Sequence, residues 1–524
     1  MVRLNLFLVT AVAVVLVACS DNTPQTQPDQ GPPPADTAKA PGTEGGPCYG
    51  NGTCNSGLVC LSNLCVRDAD SGGPDLPGDG PVPDGAGPDV APDVAQPDLS
   101  DPDLPGLDVT LPVDAPPLDA LIDAQATDQS GDAAQPKVLS WVTAVLDQNN
   151  AGKHVAIAAC GATLGIAYFR DVPPVTVTCP GPSGGAKQRP AQDLYFLKAM
   201  GSTWSAAVKV DQTYGPAMGV DLAFNPSNCK AFIGYLGGGL SQQECSSSDA
   251  VIQSSTTGAI WVQQVMATAG VVGDTVGHWM SLAIDGTGQA HASYRDVHFG
   301  LYEQDGNTKS SLWYDTIKAT GDNGSGVWST LVFSSNGQPV IAHYNAVKTG
   351  LAGGILVEAK QPTGWTSQQV VAGTTEGFDF ATNGAVFGVA FQAPAQKTLF
   401  YTEAGSGLSG WTAVQADASG TNTGMSPSLA FDSQGNPAIS YYRCGPASST
   451  SCDATQDGLM FAIRLNGTWQ TYEIETGGQQ FCGNVTALTF NASDEPVIGY
   501  QCLLYDNLTN QWVQTLKVAR GQWN

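Results

Sequence analysis

One short pattern returns seven times between Val155 and the end of this 524-residue chain, and it leaves little freedom in what the chain can fold into. It is clearest as SLAFDSQGNPAISYYR from Ser428 to Arg443 and as SLAIDGTGQAHASYRD from Ser281 to Asp296. In both, two short runs of alternating apolar and polar residues flank an Asp-x-x-Gly turn. Period-two alternation marks a strand with one buried face, and Asp and Gly at fixed offsets punctuate a hairpin. The same frame stands at Leu331 to Tyr344 and at Leu488 to Tyr500, with looser copies from Val155, Leu222 and Phe378. Starts near 155, 222, 282, 331, 378, 429 and 488 lie 47 to 67 residues apart, the period of a propeller blade rather than of a helical or leucine-rich repeat.

A third apolar run follows each copy: Leu194–Phe196, Val251–Ile252, Leu301–Tyr302, Ile355–Val357, Leu399–Tyr401, Leu459–Phe461 and Leu516–Val518. A fourth strand is expected to open at or near Trp204, Trp261, Trp313, Trp365, Trp411 and Trp469. The seventh unit runs out at Trp523-Asn524 before its fourth strand, while a spare strand of the same look, LSWVTAVLD around Trp141, stands at the start of the domain. Residues 137–524 therefore read as an all-β fold, a seven-bladed β-propeller of four-stranded antiparallel blades, with Trp141 to Asp147 supplying the outer strand of the last blade and so removing the free edge. Gly (62) and Pro (34) are too frequent for a helical bundle, and no convincing amphipathic helix is present.

The residues before the repeats are of a different kind. Met1 to Ala18 hold one basic residue, Arg3, and an apolar run from Leu6 to Val17, too short to span a bilayer as a mature element. This reads as a targeting segment over 1–18, followed by a tether over 19–46 with almost nothing apolar to bury. Cys48, Cys54, Cys60 and Cys65 then fall within a 47–66 module too small to hold itself together without cross-links, so disulfides are expected in one of three pairings. Zinc fits poorly, since paired two-residue Cys spacing is missing and no His is near. Over 67–136 the chain becomes Asp, Pro and Gly: from Asp68 to Pro136 there are 16 Asp and no Lys, Arg or Glu. Like-charge repulsion and Pro stiffness make this an extended, disordered spacer, and no nonapeptide period suggests a calcium-binding roll. It carries most of the net charge of −26, a charge that makes nucleic acid an improbable partner.

Eight of the 13 Cys lie in the repeat domain. Cys444 with Cys452 brackets one loop, and Cys482 with Cys502 meets on one blade, so both pairs should be bridged. Cys160, Cys179, Cys229 and Cys245 have three pairings open, local bridges within blade one or blade two being the simplest.

Two resemblances add to this reading. Leu16-Val17-Ala18-Cys19 resembles the lipobox of bacterial lipoproteins, which implies a palmitate-type acyl anchor at Cys19, and Ser20 after it implies the outer membrane of a Gram-negative cell, exposed at its surface. The four-Cys module is similar to small EGF-like or Dickkopf amino-terminal modules. The repeats resemble those of bacterial surface propellers distantly related to the sialidase superfamily (BNR-type), over roughly 137–524. The sialidase Ser-x-Asp-x-Gly-x-Thr-Trp box is not met at Asp285 to Gly288 or Asp432 to Gly435.

One constellation fits the chemistry of an acidic ligand. Arg170, Arg295 and Arg443 each follow the Tyr of a second strand, in YFRD, YRD and YYR, which would set three bidentate guanidinium forks on one face of the ring. The competing reading pairs them locally with Asp171 and Asp296 at separate blade rims. No base is coupled in sequence to Tyr168, Tyr294 or Tyr441, so no catalytic residue is assigned. His278, His291 and His298 cluster in the third repeat, but strand ends should separate them, and neither metal nor cofactor is expected. The reading that results is a lipid-anchored surface protein binding a glycan or a protein on its long second-to-third-strand loops, Asp171 to Gln192 and Gly237 to Ser248. The alternatives are a sialidase-like hydrolase or lyase acting on acidic glycans, and a structural envelope protein.

Overall fold

A computed structural model describes residues 58–61, 64–67 and 138–524, the last apart from 180–184, 216, 239–246, 269–274, 299–308, 321–323, 346–352, 374, 376, 394, 420, 447–451, 454, 477, 479 and 510. Two compact units divide the chain, Met1–Gly106 and Leu107–Asn524. In the first, Leu58–Leu61 and Leu64–Arg67 form an antiparallel hairpin with Cys60 opposite Cys65. Cys19, Cys48 and Cys54, the tether and the acidic spacer lie outside the described residues.

The second unit is a β-propeller of seven antiparallel sheets. Blade one is Ala151–Cys160, Thr163–Cys179 and Gly185–Met200, its outer edge split into Thr203–Trp204 and Val208–Tyr214. Blade two is Val220–Phe224, Ala231–Gly237, Asp249–Ser255 and Val262–Ala267. Blade three is Thr275–Ile284, Ala290–His298, Lys309–Tyr314 and Ile317–Lys318, and blade four Val327–Phe333, Pro339–Asn345, Gly354–Gln361 and Gly364–Ala372. Blades five and six run Phe378–Thr382, Val386–Ala393, Thr398–Gly405, Val414–Gln415 and Thr421–Phe431, Pro437–Pro446, Gly458–Leu465, Thr468–Thr476. Blade seven takes three strands from the end of the chain, Gln480–Phe490, Pro496–Asp506 and Gln511–Trp523, and its outer strand, Leu139–Asp147, from the start of the domain. The innermost strand of each blade packs on that of the next, and blade seven on blade one, so the ring is closed.

Local chemistry explains the repeat. In the turn of blade three, Asp285 Oδ1 accepts the Thr287 and Gln289 N–H groups, both at 2.9 Å, and Gly288 takes φ 87°. Asp432 does the same for Gln434 and Asn436, and Asn491 for Ser493 and Glu495. A short side-chain acceptor followed by a left-handed residue is what a four-residue turn demands, hence the recurring Asp/Asn-x-x-Gly.

The core lies between blades. Tyr168, Tyr235, Tyr441 and Tyr500, all 0% exposed, send their hydroxyls to a carboxylate on or just after the preceding blade's outer strand: Asp147 at 2.7 Å, Asp211, Asp417 at 2.8 Å and Glu475. A buried phenol needs such a partner, and four ring contacts are specified this way.

Three expectations need correction. Trp313 sits inside the third strand of blade three rather than at the opening of the fourth, because that strand runs over Lys309–Tyr314 and the fourth is only Ile317–Lys318; Leu301–Tyr302 fall outside the described residues. Asp171 to Gln192 is mostly not loop, for the second and third strands of blade one continue as a tall hairpin. Cys160 pairs with Cys229, joining blade one to blade two with Cα atoms 5.7 Å apart, not within one blade. The end of one inner strand and the neighbouring blade's first turn meet on the same face, which sequence distance does not reveal. Cys444–Cys452 and Cys482–Cys502 form as expected, while Cys245 and the Cys179 side chain lie outside the described residues.

Candidate functional site on blades three and four

The three arginines do not converge. Aligned on the buried tyrosines, Arg170 and Arg443 stand two residues after Tyr168 and Tyr441, but Arg295 stands one residue after Tyr294. Successive strand residues point to opposite faces, so this one-residue offset turns Arg295 away from the side the other two occupy. Arg170 lies 4.0 Å from the Tyr195 ring centroid and donates to Asp147, not to Asp171. Burial pulls the Asp147 carboxyl up, but Arg170, Tyr168 and Asn149 outweigh it and hold it below the usual range. Arg443 is spent on Glu473 at 2.7 Å and the Gln456 carbonyl at 3.0 Å.

Arg295 is different. Its strand-mate across the hairpin is His278, and a Cβ added to Gly326 of blade four would lie 3.0 Å from Arg295 Cβ, so the side chain rises along the seam between blades three and four. Among the described residues it forms no ion pair, and its buried Nε has no partner. Burial alone pushes its guanidinium down to about 10, still cationic at neutral pH. The cation lies 5.3 Å from the Trp279 ring centroid. His278 beside it is buried, and burial, then the Arg295 charge, push its imidazole down to about 3, so it is neutral.

Trp279 and Trp328 occupy matching places, two residues after Gly277 and Gly326, in bulges at the start of adjacent inner strands. Both hold left-handed backbone, φ 47° and 51°, a conformation that costs a bulky residue about 1–3 kcal/mol and is kept only where the surroundings enforce it. Here they do. Trp279 N–H donates to the Met218 carbonyl at 2.7 Å, Trp279 C=O accepts from Ser329 Oγ at 2.7 Å, and the Gly326 N–H donates to His343 Nδ1 at 3.2 Å. The rings stand 6.4 Å apart edge to face, Trp328 continuing to Tyr344 at 5.7 Å and Phe378 at 6.5 Å. Both indoles are partly exposed. The sequence signal for the pair is Gly-x-Trp in GHW and GVW, which the repeat pattern masks because six other tryptophans stand where outer strands are expected.

The tyrosines weighed as nucleophiles are sealed between blades: Tyr168, Tyr294 and Tyr441 are 0% exposed, and burial raises all three hydroxyls above their ordinary value. His291 is committed to Asp315 at 2.6 Å and Asp285 at 3.4 Å, which raise its imidazole; the His298 side chain lies outside the described residues. Among the described residues, the one trio close enough to share a metal ion is Glu475, Cys482 and Cys502, and its two sulfurs are bonded to each other. Two shallow clefts, of 440 Å³ at Thr382 to Gly435 and 230 Å³ at Met266 to Thr316, contain neither Trp279 nor Arg295; polar turn residues line the first and mostly apolar side chains the second.

On the inner strands, Asp379 accepts the Phe380 and Leu429 N–H groups at 2.8 and 2.7 Å, yet burial outweighs them and pushes its carboxyl up to about 7. A folded value above the unfolded 3.8 means that the native chain holds this proton more tightly. The stability gained is complete below 3.8 and is lost as pH rises through about 7. Asp379→Asn should therefore shrink the fall in melting temperature between about pH 5 and 8 relative to the unsubstituted chain; equal slopes in parallel thermal melts would show that Asp379 does not titrate there.

No protein-family model matches the chain, and no curated protein sequence matches it. Solved structures with a similar shape include AofleA from Arthrobotrys oligospora (11% identity, 65% of this chain and 91% of that one, TM-score 0.35). The NanB sialidase from Streptococcus pneumoniae (9%, 73% and 94%, 0.35) and the α-L-arabinanase of Penicillium chrysogenum (9%, 45% and 92%, 0.30) are others. Likeness this distant says nothing about function.

Proposed function

We propose that this chain is an outer-membrane lipoprotein, acylated at Cys19, whose propeller binds a carboxylate-bearing glycan displayed outside the cell. One observation carries the ligand reading: Arg295, a guanidinium without an anionic partner among the described residues, stands against Trp279, which packs edge to face on Trp328, both indoles part-exposed and held in strained backbone. Aromatic faces stack on the apolar side of a sugar ring, and the planar fork of Arg suits a carboxylate in a site of lowered dielectric. The Asp/Pro/Gly spacer of 67–136, drawn out at up to ~3 Å per residue, would hold the ring clear of surface polysaccharide.

The test is a glycan array probed with the chain from Ser20 onward, beside its Arg295→Ala and Arg295→Lys forms. Uronic and other carboxylated sugars should be retained, with about tenfold or greater loss in Arg295→Ala and a smaller one in Arg295→Lys. Indifference of the bound set to Arg295 would remove the proposal. Turnover of an acidic glycoside that vanishes in Arg295→Ala would replace binding with catalysis.

A further inference from the structure

Blade seven carries an aromatic surface that the site on blades three and four does not use. Its second and third strands run on beyond Gln501 as a hairpin that keeps pairing to Asp506 and Gln511. Cys482–Cys502 ties the foot of this hairpin to the inner strand. Tyr505 and Trp512 face each other across the ladder with rings 5.1 Å apart, and Phe481 joins Trp512 at 5.6 Å. By strand parity these side chains share the face of Gln514, whose Nε2 donates to Asp171 Oδ2 of blade one at 2.8 Å, so the aromatic wall stands over the foot of blade one's tall hairpin. Asp171 also receives Lys153 at 3.5 Å, which leaves the floor of amide, carboxylate and ammonium near neutral charge.

Trp512 is 44% and Tyr505 37% exposed, a costly way to place aromatic rings unless something covers them. We infer that this wall and floor form a second saccharide site, taking a neutral sugar ring stacked on Trp512 and Tyr505 with its hydroxyls on Gln514 and Asp171. The floor offers donors and acceptors with its one cation, Lys153, paired to Asp171, whereas Arg295 forms no ion pair among the described residues. A net charge of −26 disfavours an anionic lipid surface as the occupant, and Asn507 and Thr509 in the turn beyond the rings give the tip of the hairpin the amide and hydroxyl character of polar recognition surfaces. This inference rests on the reading of the propeller as saccharide-binding but not on the Trp279 site.

Titration of the chain from Ser20 onward with cellohexaose, mannohexaose and maltohexaose, followed by calorimetry, tests it. At least one neutral hexaose should bind, with equal affinity in Trp279→Gly and about tenfold or more weakly in Trp512→Ala and Tyr505→Ala, while Trp512→Phe, which keeps an aromatic face, should retain most of the affinity; circular dichroism of each variant checks that the propeller is folded. Failure of all three sugars to bind, or binding indifferent to Trp512, would overturn the second site. So would neutral-sugar binding lost in Trp279→Gly and kept in Trp512→Ala, an outcome that upholds the first site alone. Trp512-dependent binding to phosphatidylcholine vesicles in place of sugars would assign the wall to lipid and end the proposal.

Discussion

Removal of Leu139–Asp147 is expected to abolish the cooperative melting of the propeller. This strand pairs with Gln511–Trp523 over eight residue pairs and is capped by reciprocal bonds between Val138 and Asn524, at 3.3 and 2.9 Å. Each ladder bond is worth about 1 kcal/mol net. Burial of Leu139, 5% exposed, and of Trp141 against Phe461 at 5.1 Å adds about 2 kcal/mol apiece. Asp147 is lost as well, and with it the partner of both Tyr168 and Arg170 across the closing seam. Together these rival the whole 5–15 kcal/mol by which a domain is stable, and the new open edge is a template for aggregation. Circular dichroism melts and size exclusion of the truncated chain check this, and a synthetic LSWVTAVLD peptide added in trans should restore part of the transition. An unchanged melt would mean that the ring does not need its clasp. Asp147→Ala, which breaks only the seam, should give a smaller loss.

The second large effect concerns Trp279. Replacing it by Gly should weaken binding of a carboxylated glycan by a factor on the order of 10², the scale of a hot-spot residue, since the stacking face and the floor under Arg295 both go. The same change should cost less stability than Trp279→Ala, against the usual order of the two residues, because φ 47° suits Gly and penalises any Cβ by roughly 1 kcal/mol. Affinity by calorimetry and melting temperatures of both variants supply the check. If Trp279→Ala proves the more stable, the strain has been misassigned; if binding survives in both, so has the platform.

Much of the architecture was legible before any coordinates. The Asp-x-x-Gly turns and alternating runs are local, and each side-chain acceptor and left-handed residue acts within four or five positions, so a one-dimensional reading finds them. The clasp was legible by counting: seven copies, room for a fourth strand after six of them, and one spare strand at Trp141. The site was not. YFRD, YRD and YYR look alike on paper, but Arg295 follows its buried tyrosine by one residue where Arg170 and Arg443 follow by two, and strand parity converts that difference into opposite faces. The Cys160–Cys229 bridge and the Tyr–carboxylate clamps each join residues of adjacent blades, and no local pattern announces which loop of one blade meets which loop of the next.

The sequence by itself determined the repeating unit, its number and the swap of one strand from start to end, because these follow from backbone propensity and hydrophobic period, which act between near neighbours. Only the tertiary structure decided which arginine stays without an anion among the described residues and which tryptophans are held in left-handed backbone. Those outcomes are set where two sheets touch, and contact between surfaces far apart along the chain depends on geometry to within a single residue of register.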